Sequence, residues 1–232
     1  MTRKKICLLT LDKAPTSFAS KALFDERQKL RQYLTMWRSE QFELFPHLRE
    51  HIGAFDPSKP ELEPLLLPSS FSQPFRTKYG LDGLAKVEYA LREGRAHDAL
   101  DDVRTSIKVF NYNLDIKKTI VHGQRPNTRA QDFLRTLVKD KISGADKYRT
   151  ERMALLSLGL PEDDEVLQPL LDDQLWAKDA SRPARLGDSR KEDPWFWHVG
   201  RPSGLTEGED KEWDIECTQL FILKFLHYIH QI

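Results

Sequence analysis

Between Leu81 and Leu158 the apolar residues return every three or four positions, and that spacing restricts this part of the chain to packed helices. Leu84, Val87 and Leu91 mark a first helix, which Gly94 can end by adopting a left-handed conformation. Ala96, Ala99, Leu100, Val103, Ile107, Phe110 and Leu114 line a second. A third begins at Asn127 or Thr128, offers Ala130, Phe133, Leu134, Leu137, Val138, Ile142, Ala145 and Tyr148, and stops at Gly159 and Pro161. Short links make consecutive helices antiparallel neighbours. The expected fold is all-α: an antiparallel helical bundle or helical-hairpin array, with a Pro-rich connector and an irregular C-terminal loop region. The turn LREGRAHDAL is similar to a tetratricopeptide turn, but a solenoid needs about three such units and one is visible.

Upstream, Ser17 is placed to cap a helix over about 18–39, with Ala22, Leu23, Leu30, Leu34 and Trp37 mostly at helical intervals. Prolines at 57, 60, 64, 68 and 74 then fix φ and remove backbone donors, which predicts an extended connector pinned by Leu65, Leu66 and Leu67. Beyond Leu160 the periodicity loosens, and residues 178–193 mix both charges in an expected exposed loop. The organisation read from these shifts is an N-terminal helical segment (1–55), a Pro/Ser-rich connector (56–78), a helical core (79–175), a charged and aromatic loop region (176–212) and an apolar C-terminal helix (213–232).

The 36 basic and 36 acidic side chains cancel, so no net field draws the chain toward nucleic acid or anionic lipid. MTRKKICLLTL imitates a signal peptide, yet its apolar run stops at Asp12, and no stretch approaches the roughly 20 apolar residues of a membrane span. Cys7 and Cys217 stand far apart with no ligand spacing. These features predict an intracellular protein, in nucleus or cytoplasm, with no membrane association.

Four constellations could carry chemistry. His47-Leu48-Arg49-Glu50-His51 matches H-x-x-E-H; on an α-helix the histidines would share a face for zinc, with Glu50 as general base. The sequence shows no third ligand, and the alternative is a pair of surface histidines. Asp101-Asp102 and Asp163-Asp164 are paired acids, but adjacent acids on a helix diverge and make no metal centre alone. From Lys117 to Arg152 there are ten Lys or Arg against four Asp or Glu. Arg135 and Lys139 share a helical face with Asp132 and Asp146, which compensates them. Lys117, Lys118, Arg125 and Arg129 are less compensated and form the candidate phosphate contact, with strongly salt-dependent binding. Trp195, Phe196 and Trp197 either lock a loop onto the core or form a partner-binding hot spot. No Gly-rich phosphate loop and no nucleophile elbow occurs, so no cofactor and no enzymatic activity is expected.

The phrases PLLLPSSF, GLDGLAKVEYALREGRAHDALDDVR, HGQRPNTRAQDFLRTL, DKYRTERMALLSLG and QLWAKDASRPARLGDSRKEDPWFW occur in this order. Together, over about 15–216, they resemble the region downstream of the catalytic core in fungal transposase-like proteins of the Kyakuja-Dileera-Zisupton (KDZ) type. The resemblance implies a helical C-terminal accessory region. The family's acidic triad lies in the upstream core, so no catalytic residue carries over to this chain. Candidate partners are then DNA or an upstream transposase-like core, and the chain would be a remnant, a fragment or an incomplete gene model. Where relatives would continue after EWDIE with a charged helix, this sequence has CTQLFILKFLHYIHQI, which reads as a buried helix or as translated non-coding sequence.

Overall fold

The computed structural model describes residues 17–53, 56–119, 121–177 and 193–199. The signal-like start, both cysteines, nearly all of the 178–193 loop and the apolar C-terminal segment lie outside the described residues. Within them the fold is all-helical, as the periodicity predicts, and contains no strand. The described residues form four α-helices, α1 (Ser17–Leu44), α2 (Gln73–Lys78), α3 (Asp82–Thr119) and α4 (Gln124–Leu158), with short 3₁₀ turns between α1 and α2 and after α4. The chain divides into two compact units, Met1–Leu84 and Ala85–Ile232.

In the first unit, α1 runs five residues past the expected Ser39. Its inward stripe buries Leu30 and Leu34 beside Leu23, but the same stripe carries Arg27, Arg38 and Gln41. Arg27 pairs with Glu61, and Arg38 with Glu63 at 2.7 Å. Burial pushes the Glu61 carboxyl up, yet the Arg27 guanidinium outweighs it and holds the group below its ordinary range. The Pro-rich stretch is a strap along α1. Trp37 Nε1 donates to the Leu65 carbonyl (3.0 Å), Arg38 Nη2 to Pro64 (2.8 Å) and Gln41 Nε2 to Leu66 (2.8 Å). Prolines leave carbonyls without matching donors, and α1 supplies donor-rich side chains to meet them. The triple leucine therefore contributes less than the sequence suggests: Leu65 is exposed, and only Leu66 and Leu67 are half-buried. Leu66 sits at φ +50°, a left-handed conformation costly for a leucine and held by this clamp. After α2, Gly80 at φ +70° closes a Schellman-type end, with Leu81 N–H reaching the Arg76 carbonyl at 2.8 Å.

The second unit is a long antiparallel hairpin of α3 and α4. Ala96, Ala99, Leu100, Val103 and Ile107 pack with Ala145, Tyr148 and Leu155. Val109 meets Leu134 and Leu137, and Ile116 meets Ala130 near the tip, so contacts run in reverse order along the two helices. Gly144 allows the closest approach, since a Cβ there would lie 2.9 Å from Val103 Cγ2. At its end, Gly159 (φ +112°) stops α4 where the sequence predicts.

Three local expectations are corrected. Gly94 does not end a helix; α3 is continuous for 38 residues. A glycine inside a helix costs only about 1 kcal/mol. Here Arg92 and Arg95 flank it and both bind the buried Glu151, at 2.6 and 2.7 Å. Leu84, Val87 and Leu91 are 45, 57 and 64% exposed. The buried register uses Ala85 and Glu88 instead, one position on and so about 100° round the helix. Finally, α4 starts at Gln124 with Gly123 (φ +92°) as its N-cap, not at Asn127 or Thr128. Thr128 Oγ1 donates backward to the Gln124 carbonyl at 3.0 Å, and Pro126 occupies a first-turn position whose missing N–H is not needed. Within α4, Ile142 also faces outward.

Residues 160–177 return along α4 as a second strap. Tyr148 Oη donates to Gln168 O (2.6 Å), Arg149 Nε to Leu170 O (3.0 Å), Arg152 Nε to Leu167 O (2.7 Å) and Lys141 Nζ to Leu175 O (3.0 Å). Leu160, Leu167, Leu170 and Leu175 fill the space beneath. Both units thus use one device: an irregular segment buries its apolar side chains while helix side chains satisfy its carbonyls.

Candidate interaction surfaces

The hairpin tip carries the candidate phosphate contact. Val121 buries against Ile116 and Ala130, with Phe133 beside them, and closes the apolar core there. Outside it, Lys117 Nζ bonds Gln131 Oε1, and Lys118 lies 3.6 Å from Asp115. Arg125 and Arg129, one helical turn apart on α4, are both exposed. An open cleft of about 460 Å³ runs between the helices, lined by Lys117, Gln124, Asn127, Gln131, Asp132 and Arg135 among others. Arg135 binds Asp132 at 2.8 Å, so these two compensate each other as their spacing predicts.

Further along α4 four cations are committed elsewhere. Lys141, Arg149 and Arg152 hold the strap, and Lys147 binds Asp102 at 2.8 Å. The Asp172 and Asp146 carboxylates raise the Arg149 pKa. The positive excess counted along 117–152 therefore lies mainly at the tip, with Lys139 exposed further along α4.

Trp195, Phe196 and Trp197 form a 3₁₀ turn seated on the second unit. Phe196 is fully buried in the core, flanked by the half-buried tryptophans. Trp195 Nε1 donates to Pro169 O (3.2 Å) and Trp197 Nε1 to Trp176 O (3.0 Å). Arg104 Nε donates to the Phe196 carbonyl at 2.8 Å, and its guanidinium also reaches Val199 O. The sequence reading overlooked Arg104, Arg38 and Arg149 as fasteners. Their signal is a cation at helical spacing within an apolar stripe, as with Arg104 beside Val103 and Ile107.

His47 and Glu50 fall in a 3₁₀ turn, Pro46–Glu50, rather than an α-helix, and His51 is its C-cap. With three residues per turn, positions four apart no longer share a face. His51 Nε2 is 2.8 Å from Tyr79 Oη, and both histidine rings pack near Tyr79 in an aromatic cluster that continues through Phe75 and Phe71. Among the described residues, no group of three His, Cys, Asp or Glu is placed to hold a metal ion. The paired acids diverge: Asp101 binds Arg104, Asp102 binds Lys147, and Asp164 accepts the backbone N–H groups of Val166 and Leu167.

The first unit offers an apolar cavity of about 120 Å³, lined by Trp37, Leu44, Leu48, Leu66, Phe71 and Leu84 among others. Among the described residues, no helix is long and apolar enough to cross a membrane. Comparison of the chain with protein-family models, with curated proteins and with solved structures finds no match, so the architecture and its surfaces are what the molecule offers toward a function.

Proposed function

We propose that this chain is a non-catalytic helical interaction module whose hairpin tip contacts the phosphate backbone of nucleic acid. The observation that carries this reading is the cluster of cations at the hairpin tip. Arg125 and Arg129 are exposed in the first turns of α4, and Lys117 and Lys118 lie at the end of α3, whereas Lys141, Lys147, Arg149 and Arg152 hold carbonyls or carboxylates within the fold. The cleft between the helices adds neutral donors, Gln124, Asn127 and Gln131, suited to phosphate and sugar oxygens. The open N-terminal N–H groups of α4 add a favourable dipole. In support of the non-catalytic part, the histidines and paired acids singled out by the sequence are engaged in structural contacts.

Binding to short duplex and single-stranded DNA across a salt series tests the proposal. On duplex DNA, log K should fall with log salt by about 0.9 for each phosphate neutralised. Arg125→Ala with Arg129→Ala should weaken binding at low salt and reduce that slope by about 1–2. No binding at low salt, or affinity flat with salt, refutes it. The resemblance to the KDZ-type downstream region extends the proposal to an accessory role beside a transposase-like core. A neighbouring reading frame with three well-placed acids would support that extension. A protein-interaction scaffold without a nucleic-acid role is the second reading, favoured by the exposed apolar residues of α1.

A further inference from the structure

The outward face of α1 is unusual in both chemistry and order. Tyr33 and Met36 are 62 and 59% exposed, on a face turned roughly 110° round the helix from the stripe that buries Leu30 and Leu34. At heptad spacing this face runs Lys29, Tyr33, Met36, Glu40 and Glu43, all exposed, with Leu44 exposed at its edge. It therefore has a cation at one end, two large apolar side chains in the middle and two carboxylates at the other end. Lys29 is itself exposed and lies 3.5 Å from the largely buried Glu26 on its own helix.

We infer that this face docks on a second copy of the chain, α1 against α1 in antiparallel orientation. In such a pair, Tyr33 of each helix faces Met36 of the other, and Lys29 of each faces Glu40 of the other, one turn from Glu43. The contact is self-complementary about a two-fold axis, as an isologous dimer requires. The parallel alternative stacks Lys29 on Lys29, Glu40 on Glu40 and Glu43 on Glu43, so charge selects the antiparallel one. With an apolar centre of two residues per helix, the dimer is weak and concentration-dependent.

Sedimentation velocity on the full chain over roughly 1–200 μM, where small helix–helix contacts associate, reads this out. The wild type should shift from monomer to dimer across that range. Met36→Glu, at an exposed position that leaves the core intact, should weaken dimerisation by at least about tenfold. Lys29→Glu and Glu40→Lys should each weaken it, and the double exchange should restore it to within about threefold of wild type, because the opposed charges are merely traded. Circular dichroism of each variant confirms that α1 remains folded. A wild type that stays monomeric throughout, a dimer indifferent to Met36→Glu, or a double exchange no better than its parents each overturns the inference.

Discussion

Gly144 is where the hairpin can be tested most sharply. In an isolated helix, replacing a mid-helix glycine by alanine stabilises by about 1 kcal/mol. In this fold the new methyl would lie 2.9 Å from Val103 Cγ2, 3.5 Å from the Val103 amide nitrogen and 3.6 Å from the Ala99 carbonyl. The first distance is about 1 Å inside the carbon–carbon optimum. Val103 is fully buried and β-branched, so its χ1 has one strongly preferred well in a helix and the methyl cannot swing aside cheaply. Overpacking of this kind costs about 1–3 kcal/mol, which outweighs the propensity gain and leaves Gly144→Ala net destabilising by about 1 kcal/mol. Val103→Ala removes the obstructing methyl, so Gly144→Ala made in that background should stabilise by about 1 kcal/mol. The sign of one substitution thus depends on the other, with a coupling of about 2 kcal/mol. Urea unfolding of the four proteins, followed by far-ultraviolet circular dichroism, measures the cycle. If Gly144→Ala stabilises the wild type as much as it stabilises Val103→Ala, the two helices do not meet at this point.

Two further outcomes test the straps. Burial pushes the Tyr148 hydroxyl above its ordinary value, so above about pH 10 the unfolded chain loses a proton that the folded one keeps. Stability should therefore fall by about 1.4 kcal/mol per pH unit from that residue alone, and Tyr148→Phe, though less stable at neutral pH through loss of its bond to Gln168, should show a shallower alkaline decline. Identical pH dependence of the two unfolding midpoints between pH 8 and 11 would contradict the assignment. Arg38→Ala removes the guanidinium that bonds the Glu63 carboxylate and the Pro64 carbonyl and should cost about 1–3 kcal/mol, accompanied by faster proteolysis within 57–68; unchanged cleavage would mean that the strap is held without it.

Much of the second unit is legible in the sequence because its core obeys one local rule. Ala96, Ala99, Leu100, Val103 and Ile107 recur at helical intervals and are buried together, as are Ala145 and Tyr148 on the facing helix. The same rule misleads at Leu84, Val87 and Leu91. These are apolar and correctly spaced, but the neighbouring register carries Glu88 and Arg92, whose ion pair continues across the hairpin to Glu151. A charged residue inside a helix interface looks like a surface residue until its partner is known. The candidate phosphate contact shows the same limit. Lys117, Lys118, Arg125 and Arg129 stand out by composition, but so do Lys141, Arg149 and Arg152, which the fold uses as fasteners.

What the sequence by itself determined is the local periodicity of α3 and α4, the glycine that ends α4 at position 159, and the antiparallel pairing that a short link forces on two long helices. Each depends on residues a few positions apart, where backbone geometry leaves few choices. Only the tertiary structure decided where the proline-rich stretch and residues 160–177 and 193–199 lie and which cations they consume. A guanidinium has the same charge and donors whether it faces water, a phosphate or a carbonyl tens of residues away, and its role is set by what the folded chain brings within hydrogen-bonding distance.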